Sequence, residues 1–182
     1  MARGLSGTYA LVTGASSGLG SEFARQLAAH GCNLILVARR EARLHTLREE
    51  LAGAHPGCDI IIMPLDLTLD DAPQRLYESI VQQGKTVGVL VNNAGLGVWG
   101  SFAETPWPRI EQMIALDIRS LVHLTKLFVD AMLARDAGYI LHVASVAAYQ
   151  PTPTYACYAA AKSFVLHFGE ALSYELRQSN VS

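Results

Sequence analysis

Thr13-Gly14-Ala15-Ser16-Ser17-Gly18-Leu19-Gly20 follows directly on the apolar run Tyr9–Val12 and leads into a stretch of helical period. A strand that passes through such a turn into a helix leaves backbone N–H groups free to approach an anion. The helix N-terminus adds its partial positive charge. Glycine permits the tight turn, and Gly20 lets the helix pack closely on the strand. The spacing is Gly-x₃-Gly-x-Gly rather than G-x-G-x-x-G, and either spacing alone is a weak signal that a plain structural turn could also produce. Its place after the first strand of an α/β repeat shifts the reading to a dinucleotide site. Gly14, Ser16, Ser17, Gly18, Leu19 and Gly20 are then the phosphate-binding segment.

Outward from this turn the chain repeats the same grammar. Four more short apolar runs follow: Leu34–Ala38, Ile60–Met63, Val87–Val91 and Tyr139–Ala144. They are rich in Val, Ile and Leu with little alternation, as strands buried on both faces read. Helical spacing fills the gaps: Leu19, Phe23 and Leu27; Leu44, Leu47 and Leu51; Leu76, Ile80 and Val81 before a stop at Gly84. A longer helix is expected over about Trp107–Leu133, and a last one over about Tyr155–Arg177. Five strand–helix units with right-handed crossovers predict a Rossmann-type, doubly wound parallel sheet in a three-layer α/β/α domain spanning 1–182.

Composition excludes several classes. The 182 residues are 51% apolar and 16% charged, too apolar for a disordered chain. No apolar run approaches the ~18 residues of a membrane span. A net charge of −2 lacks the basic excess of a nucleic-acid binder. Cys32, Cys58 and Cys157 form no CxxC pair, and the six histidines form no ligand motif, so neither a disulfide framework nor a metal site is expected. The start, Met1-Ala-Arg-Gly-Leu-Ser6, leads into too short an apolar run for a signal peptide, so the expected location is cytoplasmic.

The second strand ends in Ala38-Arg39-Arg40, where an NAD site usually carries an acidic residue for the ribose 2′-OH. Guanidinium groups suit a 2′-phosphate instead, so Arg39 and Arg40 favour NADP(H) over NAD(H). The alternative is two solvated arginines at a helix start, one of them paired with Glu41. Tyr158 and Lys162 are an i,i+4 pair on the last helix. A tyrosine with a free pKa of ~10 is a poor acid–base group until a neighbouring ammonium stabilises its phenolate. Ser145 ends the fifth strand, where its hydroxyl could orient a carbonyl.

Thr13–Gly20, Asn92-Asn93-Ala94-Gly95, Ser145 and Tyr158-x-x-x-Lys162, in this order and spacing, resemble the short-chain dehydrogenase/reductase family from about Thr8 to Val181. The resemblance implies hydride transfer between a nicotinamide cofactor and a carbonyl or alcohol. Tyr158 would be the general acid/base, Ser145 the carbonyl orienter, and Lys162 the residue that holds the nicotinamide ribose and tunes Tyr158. Asp66 and Leu67 would contact the adenine, and Asn93, Ala94 and Gly95 would shape the cofactor floor. It also implies a homodimer or homotetramer built on the two long helices, with Leu121, Leu124, Phe164 and Phe168 among their apolar residues.

Two departures stand out. Where the family carries a catalytic Asn, this chain reads Ala115-Leu116-Asp117-Ile118, and an ionised Asp accepts hydrogen bonds but donates none. The sixth and seventh strands of the family are also not expected here, which would leave the fifth strand as an apolar edge. These departures keep open a second reading, an NADP(H)-binding regulatory or scaffold protein without turnover. Trp99, Phe102 and Gln150 are candidates for the substrate pocket, and Cys157 is expected to pack.

Overall fold

The computed structural model describes residues 5–182; the N-terminal reading on residues 1–4 lies outside them. Five strands alternate with helices along the chain: β1 (Tyr9–Thr13), α1 (Gly18–Ala29), β2 (Asn33–Ala38), α2 (Glu41–Ala54), β3 (Ile60–Pro64), α3 (Ala72–Gln82) and β4 (Val87–Asn92). Then come α4 (Trp107–Ile114), α5 (Leu121–Ala134), β5 (Tyr139–His142) and α6 (Ala156–Leu176). All ladders are parallel, and the sheet order is β3-β2-β1-β4-β5. This is the doubly wound Rossmann-type architecture that the apolar runs predict.

The strands lack alternation because both faces are covered. On β1, Leu11 points into one core with Ile35, Val37, Leu76, Leu124 and Phe128. Its neighbours Ala10 and Val12 point into the other, with Leu34, Leu36, Leu44, Leu47 and Leu51. A residue period of two meets an apolar layer on either side, so every position is apolar.

Three helix expectations are corrected. On α1 the fully buried stripe is Gly20, Ala24 and Ala28; of the Leu19–Phe23–Leu27 series, Phe23 and Leu27 pack half-buried beside it, and Leu19 is 62% exposed. The helix approaches closest at Gly20, where a Cβ would clash with the Gly14 carbonyl. On α3, Leu76 and Ile80 are buried but Val81 is exposed, while Gly84 ends the helix at φ +66° as expected. The long helix over 107–133 is three pieces: Pro106 and Pro108 open α4, a π-helical turn (Ala115–Ser120) follows, and α5 completes it. A π turn adds a residue to the local ring and marks functional positions more often than others.

β5 is also shorter than Tyr139–Ala144. Val143 N–H still bonds the Asn92 carbonyl (3.0 Å), but the Val143 carbonyl accepts from Lys162 Nζ (3.1 Å) and leaves the ladder. The outer edge of β5 is not bare. Val181 pairs in parallel with Gly138, and Ile140 N–H donates to the Ser182 carbonyl at 2.7 Å. Residues 180–182 thus lie alongside β5 and cover part of the edge expected to be bare.

Candidate active site and cofactor cleft

Every motif singled out in the sequence lies at the carboxyl edge of the sheet. The glycine-rich turn follows β1, Arg39 and Arg40 follow β2, Asp66 follows β3, Asn93–Gly95 follow β4, and Ser145 follows β5. Chain order reverses between β1 and β4, and a crevice opens at such a switch point. The cleft there has a volume of about 320 Å³. It is lined by Gly14, Ser16, Ser17, Val37, Ala38, Arg39, Arg40, Leu65, Asp66, Leu67, Asn93, Ala94, Gly95 and Leu116. Gly18, Leu19 and Gly20, expected at the cofactor, lie outside this lining. A larger groove of about 710 Å³ runs beside α6 from Ala147 to His167. It includes none of Ser145, Tyr158 and Lys162, so size does not mark the chemistry here.

Close packing builds the cleft floor. A Cβ on Gly20 would stand 2.3 Å from the Gly14 carbonyl oxygen, so only glycine lets α1 approach the turn. Gly14 and Gly18 adopt φ +67° and +56°, the left-handed region that favours glycine. No side chain caps the start of α1, which leaves its first N–H groups available to an anion. Thr13, which the sequence reading passed over, ties the two halves of the floor. Its Oγ1 accepts from Asn93 N–H and Ala94 N–H, both at 3.0 Å, and donates to the Val91 carbonyl at 3.1 Å. A polar residue closing an apolar strand was the available signal.

The two arginines separate in role. Arg40 reaches back over the turn, donating from Nη2 to Ser17 Oγ (2.6 Å) and Ser16 Oγ (2.9 Å). Arg39 turns to Asp66 Oδ2 at 3.9 Å and is mostly exposed. Neither pairs with Glu41, which lies 3.7 Å from His45 Nε2. One guanidinium and two hydroxyls thus converge at the cleft wall, a donor set that fits a phosphate. Asp66 Oδ1 accepts from Thr68 N–H (3.0 Å) and Thr68 Oγ1 (2.8 Å), which fixes the carboxylate on the opposite wall.

The catalytic candidates gather on α6 and its neighbours. Ser145 opens a short 3₁₀ turn (Val146–Tyr149), and its Oγ accepts from Ala147 N–H at 3.2 Å. Its own hydroxyl hydrogen stays available. Tyr158 is half-buried in a small apolar cluster with Val98, Met113, Cys157 and Ala161. Lys162 is only 5% exposed, and its Nζ lies 5.8 Å from the centroid of the Tyr158 ring. That ammonium donates to the Val143 carbonyl and sits 3.2 Å from Asp117 Oδ2 as an ion pair.

The π turn directs Asp117 inward, where it is fully buried. Its Oδ1 accepts from Leu96 N–H at 2.7 Å. Oδ2 has no aligned hydrogen bond and depends on Lys162 for compensation. Burial pushes the Asp117 carboxyl up, and the Lys162 charge and the Leu96 N–H pull partly against it. Gly95 separates this pair from the cleft: a Cβ there would stand 3.1 Å from Asp117 Oδ2 and 3.2 Å from Lys162 Nζ. Among the described residues no cluster of His, Cys, Asp and Glu could hold a metal, and no helix is long and apolar enough to cross a membrane.

The family described as short chain dehydrogenase matches residues 8–182. The chain is 36% identical over 178 residues to a very-long-chain 3-oxoacyl-CoA reductase of Mycosarcoma maydis, covering 96% of this chain and 50% of that protein. It is 34% identical to 17-beta-hydroxysteroid dehydrogenase type 3 of Mus musculus, covering 96% and 57%. A metagenomic short-chain oxidoreductase solved in complex with NADP superposes with a TM-score of 0.92 at 31% identity, covering 98% of this chain and 80% of that one. The chain spans about half the length of the curated relatives it matches.

Proposed function

The chain belongs to the short-chain dehydrogenase family, and we propose that it interconverts a bulky apolar ketone and its alcohol with NADP(H). One observation carries this reading: Tyr158 and Lys162 meet at the same sheet edge as the Arg40–Ser16–Ser17 cluster and the uncapped start of α1. A module that only bound a nucleotide would need the second group and not the first.

The start of α1 would hold the pyrophosphate, and Arg40 with Ser16 and Ser17 the 2′-phosphate that distinguishes NADP(H). Asp66 and Leu67 would flank the adenine, while Asn93, Ala94 and Gly95 form the floor. The cofactor, when bound, supplies or accepts the hydride. In reduction Ser145 donates a hydrogen bond to the carbonyl oxygen, and Tyr158 delivers the proton to that oxygen. In oxidation Tyr158 takes the same proton from the alcohol. Lys162, buried and held by Val143, places a fixed cation beneath the Tyr158 ring.

The substrate class rests on the surface beside these groups. Trp99 and Phe102, after Gly95, and Val146 and Tyr149, after Ser145, are large and exposed. The Gly100 N–H to Thr154 carbonyl bond (2.9 Å) joins the loop bearing Trp99 and Phe102 to the segment entering α6. Such a rim suits a long acyl chain or a steroid, in keeping with the names of the curated relatives. Three free thiols suit a reducing, cytoplasmic compartment, and exposed Phe164 on α6 suits pairing as a homodimer or homotetramer.

The test is NADPH titration by fluorescence, then NADPH oxidation with a long-chain 3-oxoacyl thioester, a steroid ketone and a small polar ketone. Turnover with the apolar substrates supports the proposal. Binding without oxidation of any of them would leave a nucleotide-binding protein and overturn it.

A further inference from the structure

Among the described residues Lys162 is the one charged partner of Asp117, and both are buried beneath a glycine that lines the cofactor cleft. An asparagine at this position could accept from Leu96 N–H as Asp117 does, but it would turn an NH₂ group, not an oxygen, towards the ammonium. We propose that Asp117 is the counter-ion of Lys162 and that the pair makes the floor behind Gly95 net neutral, so that Asp117 sets how strongly the site prefers the oxidised over the reduced nicotinamide cofactor. This inference rests on the reading that the cleft binds such a cofactor.

The effect is electrostatic. A hydride can reach a carbonyl carbon only beside the group that protonates its oxygen, so the reacting ring must lie near Tyr158. Lys162 Nζ is 5.8 Å from the Tyr158 ring and is separated from the cleft by glycine backbone with no side chain between. The oxidised ring carries a positive charge, and the reduced ring none. An unpaired ammonium there would repel the oxidised form alone. The Asp117 carboxylate, 3.2 Å from that ammonium, cancels the repulsion in a medium that screens poorly. One ammonium hydrogen goes to the Val143 carbonyl, and the charge is paired with Asp117 Oδ2 at 3.2 Å.

The test measures dissociation constants of NADP⁺ and NADPH for the parent, Asp117→Asn, Lys162→Met and the double variant. Circular dichroism checks the fold of each. Asp117→Asn leaves a net cation and should raise the NADP⁺/NADPH ratio of constants on the order of tenfold, the worth of one charge about 10 Å away at an effective dielectric constant of about 20. Lys162→Met removes the cation and should lower the ratio. The double variant, neutral again, should return near the parent value. If Asp117→Asn does not fold, Lys162→Met and the double variant still carry different expectations, a lowered ratio and the parent ratio. Folded variants that bind both forms with an unchanged ratio overturn the counter-ion role while leaving the cofactor reading intact. A parent that binds neither form overturns that reading, and the inference with it.

Discussion

Gly20→Ala is the most direct probe of how the cleft is built. In an unstrained helix, glycine to alanine stabilises by ~1 kcal/mol through helix propensity. At position 20 the new methyl would lie 2.3 Å from the Gly14 carbonyl oxygen and 2.6 Å from Asn93 Nδ2, where ordinary contact begins at 3.4 Å. Neither neighbour can yield cheaply. Gly14 is held at φ +67°, and Asn93 Nδ2 is engaged with the Thr13 carbonyl at 2.9 Å. The helix must therefore move away from β1, and overpacking of this kind costs ~1–3 kcal/mol, sometimes more. The net expectation is destabilisation of about 1 kcal/mol, seen as a fall in Tm of roughly 2–4 °C and in the urea midpoint at unchanged m. Gly53→Ala on α2 is the matched control, since its Cβ would meet nothing within 4 Å. It should stabilise by about 0.4–1 kcal/mol. If both substitutions shift stability in the same direction, α1 does not pack on the turn as described.

Other expectations follow from the same geometry. Tyr158→Phe should reduce turnover by ~10²–10⁴-fold with NADPH affinity nearly unchanged in the fluorescence titration. Full activity would remove Tyr158 as the acid. Arg40→Ala should weaken NADPH by roughly 10- to 100-fold and NADH little, with a smaller effect for Arg39→Ala; equal losses for both cofactors would refute the phosphate assignment. Thr13→Val strands the N–H groups of Asn93 and Ala94 and should cost about 1–3 kcal/mol in chemical denaturation. Burial lowers the His142 imidazole from its ordinary 6.5 to about 4. The unfolded chain therefore binds the proton first as pH falls, and stability should drop by up to ~3 kcal/mol between pH 6.5 and 4. His142→Gln should flatten that part of the profile, and an identical slope in the variant would disprove the assignment.

Local pattern alone was enough to determine the layer order and the place of each motif. Val12, Leu36 and Leu90 sit in runs without alternation because both faces of the sheet are covered, and that leaves a direct trace in composition. Gly14, Gly20 and the Tyr158–Lys162 spacing were legible for the same reason, since a tight turn, a close approach and a shared helix face are short-range demands. The buried stripe of α1 was not. Phe23 and Leu27 of the apolar series do pack on the core, but the distance between helix and sheet puts the small residues Gly20, Ala24 and Ala28 at its centre and leaves Leu19 exposed. The break in the long helix was hidden as well, because Ala115–Ser120 contains no proline or glycine.

What the tertiary structure decided is which charges meet. From the chain alone Arg39 and Arg40 are equivalent neighbours; in the fold Arg40 crosses to Ser16 and Ser17 while Arg39 faces Asp66. Asp117 is one acidic residue in a helical run until the π turn and α6 bring it to Lys162, behind a glycine that lines the cleft. Sequence determines the types of residue at the sheet edge because backbone geometry is local. Pairings between groups far apart in the chain depend on how helices settle on the sheet, and only packing fixes that.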